Sequence, residues 1–357
     1  MPIKYLSAVI FIAMLAVSLI LAAASYFSTS VPVTDSGEVL NGEVTAQYEK
    51  EFDKNLLHRD PSIKSWNAAG YFLFGEGKEG VLIGRDGWLF TNEEFNHSEY
   101  FEKNIDENEK YIAKIAGILK QDKVNLLVVP LPSKARIYSD KLGKYQFPEY
   151  WKPQYQSLLG FLDENDISSV DMEEVFQKHK GENIFLKTDT HWTPLGARLA
   201  AMSAEYKISS KFPYLSWPLK KFKNQKAEAI DYEGDLMRYT VKGKAAEIFD
   251  LKKDHFDKWE VIDPDQSQED LFGDINIPVV LVGTSYSANK TWNFDGFLKE
   301  SLGTDVLNVA DEGMGPFETM ERYIQSDTYK NNKPKLVIWE MPERYLAMPF
   351  GKKEEGK

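Results

Sequence analysis

The chain is expected to fold as an α/β protein with a mostly parallel sheet flanked by helices and an apolar helix at its N-terminus, and three observations lead there. Four short apolar runs, VNLLVVPLP, IPVVLVG, VLNVA and KLVIWEM, read as strands covered on both faces, which is the pattern of a parallel sheet packed between helices. Segments with helical spacing alternate with them along the chain, as in folds built from repeated strand–helix units. Residues 6 to 27, LSAVIFIAMLAVSLILAAASYF, carry no charge, and a run of that length is enough to cross a bilayer as a helix.

Composition bounds the reading. The 357 residues are 43% hydrophobic, with a formal net charge of -12, so a sizeable core is available. The acidic balance excludes a nucleic-acid partner, because phosphate binding needs a basic footprint. The chain has no cysteine, so disulfides, thiolate metal sites and a cysteine nucleophile are all excluded.

Lys4 precedes the apolar run, and a positive charge held inside sends the rest of the chain to the outer side of a membrane. Residues 1–29 are therefore expected to be a membrane anchor. Ala22-Ala23-Ala24 offers a small-residue cleavage site, so a removed signal peptide is the alternative. Residues 30–47 are rich in turn formers and have no apolar period, as a tether would. The folded domain is expected over 48–350, followed by a charged tail, 351–357.

In VLIGRDGWLFTN, Asp86-Gly87 stands between apolar runs, a hairpin signal. Helical spacing over residues 108 to 123, NEKYIAKIAGILKQDK, leads into the first strand. QYQSLLGFLDEN and then ISSVDM repeat the helix-to-strand order.

Two later blocks hold the chemistry. In TDTHW, residues 188 to 192, Asp189 and His191 stand two apart. In an extended segment such side chains share a face. Thr193-Pro194 then starts a helix through LGARLAAMSAEY. Asp189 is thus placed to hold the His191 ring in one tautomer, as the acid does in a serine triad. In IPVVLVGTSYSAN a strand ends at Val282, Gly283 turns the chain, and Ser285 follows where it leaves the sheet's carboxyl edge, where ligands bind in such folds. The Ser285 amide, and that of Tyr286, stand at a helix start and are candidates for oxyanion donors. Ser287 is a rival nucleophile. His58, His97, His179 and His255 show no ligand spacing with the Asp189 pair, so neither a metal nor a cofactor is expected.

GRDGWLF, TDTHW, GTSYSAN and WEMPERYL, in that order, resemble the periplasmic alginate O-acetyltransferase family, whose domain is similar to an SGNH hydrolase. The resemblance runs from about Lys50 to Leu346 and includes the acid–base pair standing before the serine. It implies Ser285 as the acetyl-accepting nucleophile, His191 as general base and acid, and Asp189 as its orienter. It also implies a polysaccharide acceptor, alginate being the namesake, and a protein held at the inner membrane facing the periplasm. The partners implied are a multipass membrane protein that donates acetyl and other polymer-acetylation proteins. A carbohydrate acetylesterase with the same triad, and a non-catalytic scaffold of a polysaccharide export complex, are the competing readings. Gly283-Thr284-Ser285 replaces the hydrolases' Gly-Asp-Ser, and no asparagine of their third block is evident. Gly313 and Gly315 are therefore candidates for a further oxyanion donor, and Tyr345 for a group reaching the site. Trp192, Tyr286 and Trp292 are candidate sugar platforms. LKKFKNQK, residues 219 to 226, is a basic and aromatic stretch that either meets a uronate polymer or is solvated surface.

Overall fold

The computed structural model describes residues 3–31, 42–59, 61–63, 65, 66, 70, 79–240, 251–263 and 277–350. Most of the expected tether and all of the expected tail lie outside those residues. The chain forms two units, Met1–Gly77 and Lys78–Lys357. In the first, helix α1 (Ile3–Ser28) includes Ala8–Ser28, whose mean hydropathy of 2.6 makes it long and apolar enough to span a membrane. It is followed by α2 (Glu43–Asn55). The Tyr48 hydroxyl donates to the Tyr26 carbonyl at 3.1 Å, and the Leu57 amide to Ser25 Oγ at 3.1 Å, tying this unit to itself.

The second unit opens with the hairpin of β1 (Val81–Ile83) and β2 (Leu89–Thr91), turned by Asp86 and Gly87 at φ 56° and 78°. That left-handed pair is what an Asp-Gly turn supplies at little strain. Helix α3 (Phe101–Gln121) starts seven residues before the expected 108. Its first turns look polar because Asn104 and Asn108 are buried against the chain's C-terminal turn. Asn104 Nδ2 donates to the Ala347 carbonyl at 2.8 Å, and Asn108 Nδ2 to those of Leu346 and Met348 at 2.8 and 2.9 Å.

The apolar runs become β3 (Asn125–Leu131), β7 (Val279–Val282), β8 (Val306–Asn308) and β9 (Leu336–Pro342), and ISSVDM gives the two-residue β4 (Ser168–Ser169). Together they form one parallel sheet in the order β4-β3-β9-β7-β8, with Leu131 beside Pro342 and Val282 beside Trp339. Val128, Leu281, Ile338 and Trp339 are fully buried at its centre, as strands covered on both faces require. Because all five strands run the same way, the segments after Leu131, Val282, Asn308 and Pro342 emerge along one carboxyl edge. The connecting helices include α4 (Lys134–Ile137), α5 (Gln154–Glu164), α6 (Met172–His179) and α7 (Pro194–Lys211). After β7 come α8 (Ser285–Ala288), α9 (Phe294–Leu302), α10 (Gly315–Gln325) and α11 (Asp327–Asn331).

A separate antiparallel ribbon of β5 (Lys223–Tyr232) and β6 (Asp254–Ile262) packs on α9. The stretch LKKFKNQK runs into its first strand. Asn224 Nδ2 in β5 donates to the Gly296 carbonyl and to Glu300 Oε2, both at 2.9 Å, and Lys226 pairs with Asp257 at 2.5 Å.

Candidate active site

TDTHW is not the extended piece that the sequence suggests. Residues 187–191 form a run of bends, closed at its base by an antiparallel bridge between Phe185 and Trp192 and by Leu186 N–H donating to the His191 carbonyl at 3.1 Å. The side chains meet all the same, through local curvature: Asp189 Oδ1 accepts the His191 amide at 2.8 Å and lies 2.6 Å from His191 Nδ1. A short carboxylate capturing the amide two residues on is an intrinsic turn former. Thr193 Oγ1 then accepts Gly196 N–H at 3.3 Å and caps α7, as expected.

His191 Nε2 lies 2.7 Å from Ser285 Oγ across 94 residues of sequence. Ser285 opens α8 directly beyond β7, and Thr284 caps that turn. Ser285 is half-buried and the His191 side chain is 13% exposed, so both can be reached from solvent. Among the described residues Ser285 N–H meets no acceptor, which leaves it available to an oxyanion. Ser287 is buried and donates to Glu340 at 2.9 Å, so it is turned away as a rival.

The pair is held from outside its own segment. The turn that begins at Gly234 faces it: Asp235 N–H donates to Asp189 Oδ2 at 2.7 Å, and the Asp235 carboxylate accepts the Thr190 amide at 2.9 Å as well as the Thr190 hydroxyl. Asp254, the first residue of β6, accepts the amides of Lys187 and Thr188 at 2.7 and 2.9 Å. Burial alone would raise the Asp189 pKa, but the hydrogen bond and charge of His191, with the amides of Asp235 and His191, hold the carboxyl below its usual range. Asp235 moves the other way, pushed up by burial and then by the charge of Asp189. Ligand-type atoms of Asp189, His191 and Asp235 lie within 4.8 Å of one another, close enough to share an ion, and the hydrogen bonds just described already engage these groups.

Below the loop, Lys134 is buried with its ammonium donating to the carbonyls of Leu89, Lys187 and Asp189 at 2.6, 3.0 and 2.9 Å. Burial pushes its pKa down to about 8. Lys134→Met keeps the length and loses all three bonds, so the thermal midpoint should fall by the equivalent of about 3 kcal/mol, measured by thermal melting of the full-length chain. Below the serine turn, the fully buried Glu340 accepts the Thr284 amide at 2.8 Å and the hydroxyls of Thr284 and Ser287. Gly283 leaves room for it: a Cβ there would stand 2.5 Å from Glu340 Oε2 and 2.8 Å from Ser287 Oγ. Gly283→Ala should therefore destabilise by about 1–3 kcal/mol, seen as a lowered denaturation midpoint.

The remaining candidates divide. Trp192 and Trp292 are fully buried, as Tyr286 nearly is, and none presents an open face to a sugar. Instead Trp292 stacks on His191 at 5.4 Å, Trp192 Nε1 donates to the Tyr286 carbonyl at 3.1 Å, and the Tyr286 hydroxyl donates to the Thr190 carbonyl at 2.6 Å. The Tyr286 amide is engaged by Thr284 Oγ1 at 3.3 Å, which removes it as a second oxyanion donor. Gly313 and Gly315, at φ 82° and 74°, follow β8 on the carboxyl edge, where the Asp311 amide donates to the Gly283 carbonyl at 3.3 Å. A Cβ on Gly315 would stand 3.0 Å from the ring of half-buried Tyr345, over which Arg344 lies at 4.9 Å. The supports Lys134, Asp235, Asp254 and Glu340 were not foreseen. Only Glu340, an acid inside the apolar run LVIWEM, carried a visible signal.

Comparison with known proteins places this geometry. The sequence model of the family described as "SGNH hydrolase-like domain, acetyltransferase AlgX" matches residues 81–343. The probable alginate O-acetylase AlgJ of Azotobacter vinelandii is 35% identical over 92% of this chain and 84% of its own. The O-acetyltransferase domain of Pseudomonas putida AlgJ superposes with a TM-score of 0.69 at 35% identity, over 75% of this chain and 92% of that one. Pseudomonas aeruginosa AlgX gives a TM-score of 0.59 at 26% identity, over 75% of this chain and 64% of its own. The parallel sheet with its helices is thus the SGNH-like fold, and the chain belongs to the AlgX family of SGNH hydrolase-like acetyltransferase domains.

Proposed function

We propose that the chain is an O-acetyltransferase that carries acetyl on Ser285 to hydroxyls of an exopolysaccharide, with alginate as the polymer. One observation carries the reading: a continuous line of hydrogen bonds from Asp189 through His191 to Ser285, at 2.6 and 2.7 Å, in a member of a family whose relatives are named alginate O-acetylases. In the first half-reaction Ser285 Oγ gives its proton to His191 Nε2 and forms a bond to the acetyl carbonyl carbon. The tetrahedral oxyanion faces the Ser285 amide and then collapses, and the donor's leaving group departs with the proton from His191. In the second, a sugar hydroxyl gives its proton to His191 Nε2 and attacks the acyl carbon, and Ser285 leaves and is reprotonated. Asp189 keeps Nδ1 protonated, so that Nε2 is the free base. Gly315 and Tyr345 border the acyl group, and Gly313 is the outer donor.

The apolar α1 holds the enzyme at the outer face of the inner membrane, or acts as a signal peptide that is removed. A multipass membrane protein supplies acetyl, and other polymer-acetylation proteins complete the assembly. The test is incubation of the full-length chain with an activated acetyl ester and mannuronate or cello-oligomers, read by mass spectrometry. Acetylated mannuronate that is absent with Ser285→Ala establishes the transferase and its polymer. Free acetate alone, absent in the same variant, identifies an esterase instead.

A further inference from the structure

We propose that Asp235 is a positioning residue of this acid–base pair, fixing the Asp189 carboxylate with its backbone and the Thr190 peptide with its side chain. The inference rests on the reading of Ser285, His191 and Asp189 given above. A carboxylate can turn about its last torsion and exchange oxygens unless both are engaged. In Asp189 both are: Oδ1 serves the amide and Nδ1 of His191, and Oδ2 accepts the Asp235 N–H at 2.7 Å, while the Tyr232 hydroxyl also reaches this carboxylate from outside the loop. The Asp235 amide is aimed by the turn around it.

The turn docks on the loop at three consecutive residues. Gly234 N–H donates to Thr188 Oγ1 at 3.3 Å, Asp235 N–H to Asp189, and Leu236 N–H to the Thr188 carbonyl at 3.2 Å. The approach is so close that a Cβ on Gly234 would stand 2.1 Å from the Thr188 carbonyl oxygen. The Asp235 side chain returns the contact by accepting the amide and hydroxyl of Thr190. The Thr190 carbonyl in turn accepts the Tyr286 hydroxyl at 2.6 Å, next to Ser285. One carboxylate therefore spans the residue between Asp189 and His191 and links it, through Thr190 and Tyr286, to the turn that carries the nucleophile. Asp254 holds the same loop at Lys187 and Thr188, but has no bond to Asp189, Thr190 or His191 among the described residues. The two acids thus divide the work, and only Asp235 acts on the pair.

The experiment uses the full-length chain in detergent, with Asp235→Ala, Asp235→Asn and Thr190→Val. The readouts are kcat and KM for an activated acetyl ester and the low-field proton resonance of the His191–Asp189 hydrogen bond. Asp235→Ala is expected to lower kcat by about 10²-fold with KM within about twofold of wild type, because misplacing a catalytic group by an ångström has that effect, and to broaden or lose the resonance. Asp235→Asn keeps an acceptor for the Thr190 amide and should recover about tenfold of the loss. Thr190→Val removes one hydroxyl at nearly constant volume, so it reports even where the alanine chain fails to fold, and it should lower kcat by about tenfold. Wild-type kcat and an intact resonance in folded Asp235→Ala, or in Thr190→Val, would overturn the inference. Wild-type ester turnover in a Ser285→Ala control would instead overturn the triad reading, and the inference with it.

Discussion

Ser285→Ala is expected to lower kcat for acetyl transfer by about 10⁴–10⁶-fold and to abolish any covalently acetylated protein. The line from Asp189 to His191 ends on this hydroxyl, and the buried Ser287 is committed to Glu340, so no second oxygen can take its place. What survives is the contribution of the Ser285 amide and of substrate binding, which in serine hydrolases leaves a residual rate above that in water. The measurement is ester turnover together with intact-protein mass after brief exposure to the donor. Turnover within about tenfold of wild type, or an acetyl adduct that persists, would remove Ser285 from the mechanism.

Asp189→Asn is the second large effect, with kcat expected to fall by about 10⁴-fold while KM changes little. Asp189 Oδ1 accepts from both the amide and Nδ1 of His191, and Oδ2 from the Asp235 amide. An amide side chain has only one oxygen for these three donors. Whichever way it turns, an N–H faces a donor, and the simplest relief is for the imidazole to move its proton to Nε2. Nε2 then points a hydrogen at Ser285 and can no longer take one. Combining this change with Ser285→Ala should add almost nothing to the loss from serine alone, since the groups act as one unit. A loss under about tenfold in the single variant would show that Asp189 orients nothing of consequence.

Much of this was legible in the sequence, for a physical reason. Buried parallel strands must be apolar on both faces, so VNLLVVPLP, IPVVLVG, VLNVA and KLVIWEM declare themselves. The pair Asp189 and His191 is legible because its contact is local, and Ser285 because a strand end, a glycine and a serine make a turn whose position in the sheet follows. The failures share a cause. TDTHW reads as extended, yet it bends because Asp189 captures the His191 amide and because Asp235, 46 residues away, caps the other oxygen. The start of α3 was missed because Asn104 and Asn108 satisfy C-terminal carbonyls more than 230 residues distant. Trp192 and Trp292 looked like sugar platforms until the fold buried them. No local pattern encodes a partner so remote.

The place of β9 in the sheet sets an order of events. It is the last strand among the described residues, yet it lies third of five, between β3 and β7, and it carries the Glu340 that props the serine turn. Until it arrives, β4-β3 and β7-β8 are two half-sheets with no shared edge, and the loop bearing His191 has no fixed distance to Ser285. A chain delivered from its N-terminus therefore brings the Asp189–His191 loop and Ser285 out before the strand that sets the distance between them. The line of hydrogen bonds from Asp189 to Ser285 closes only once β9 has joined the two halves.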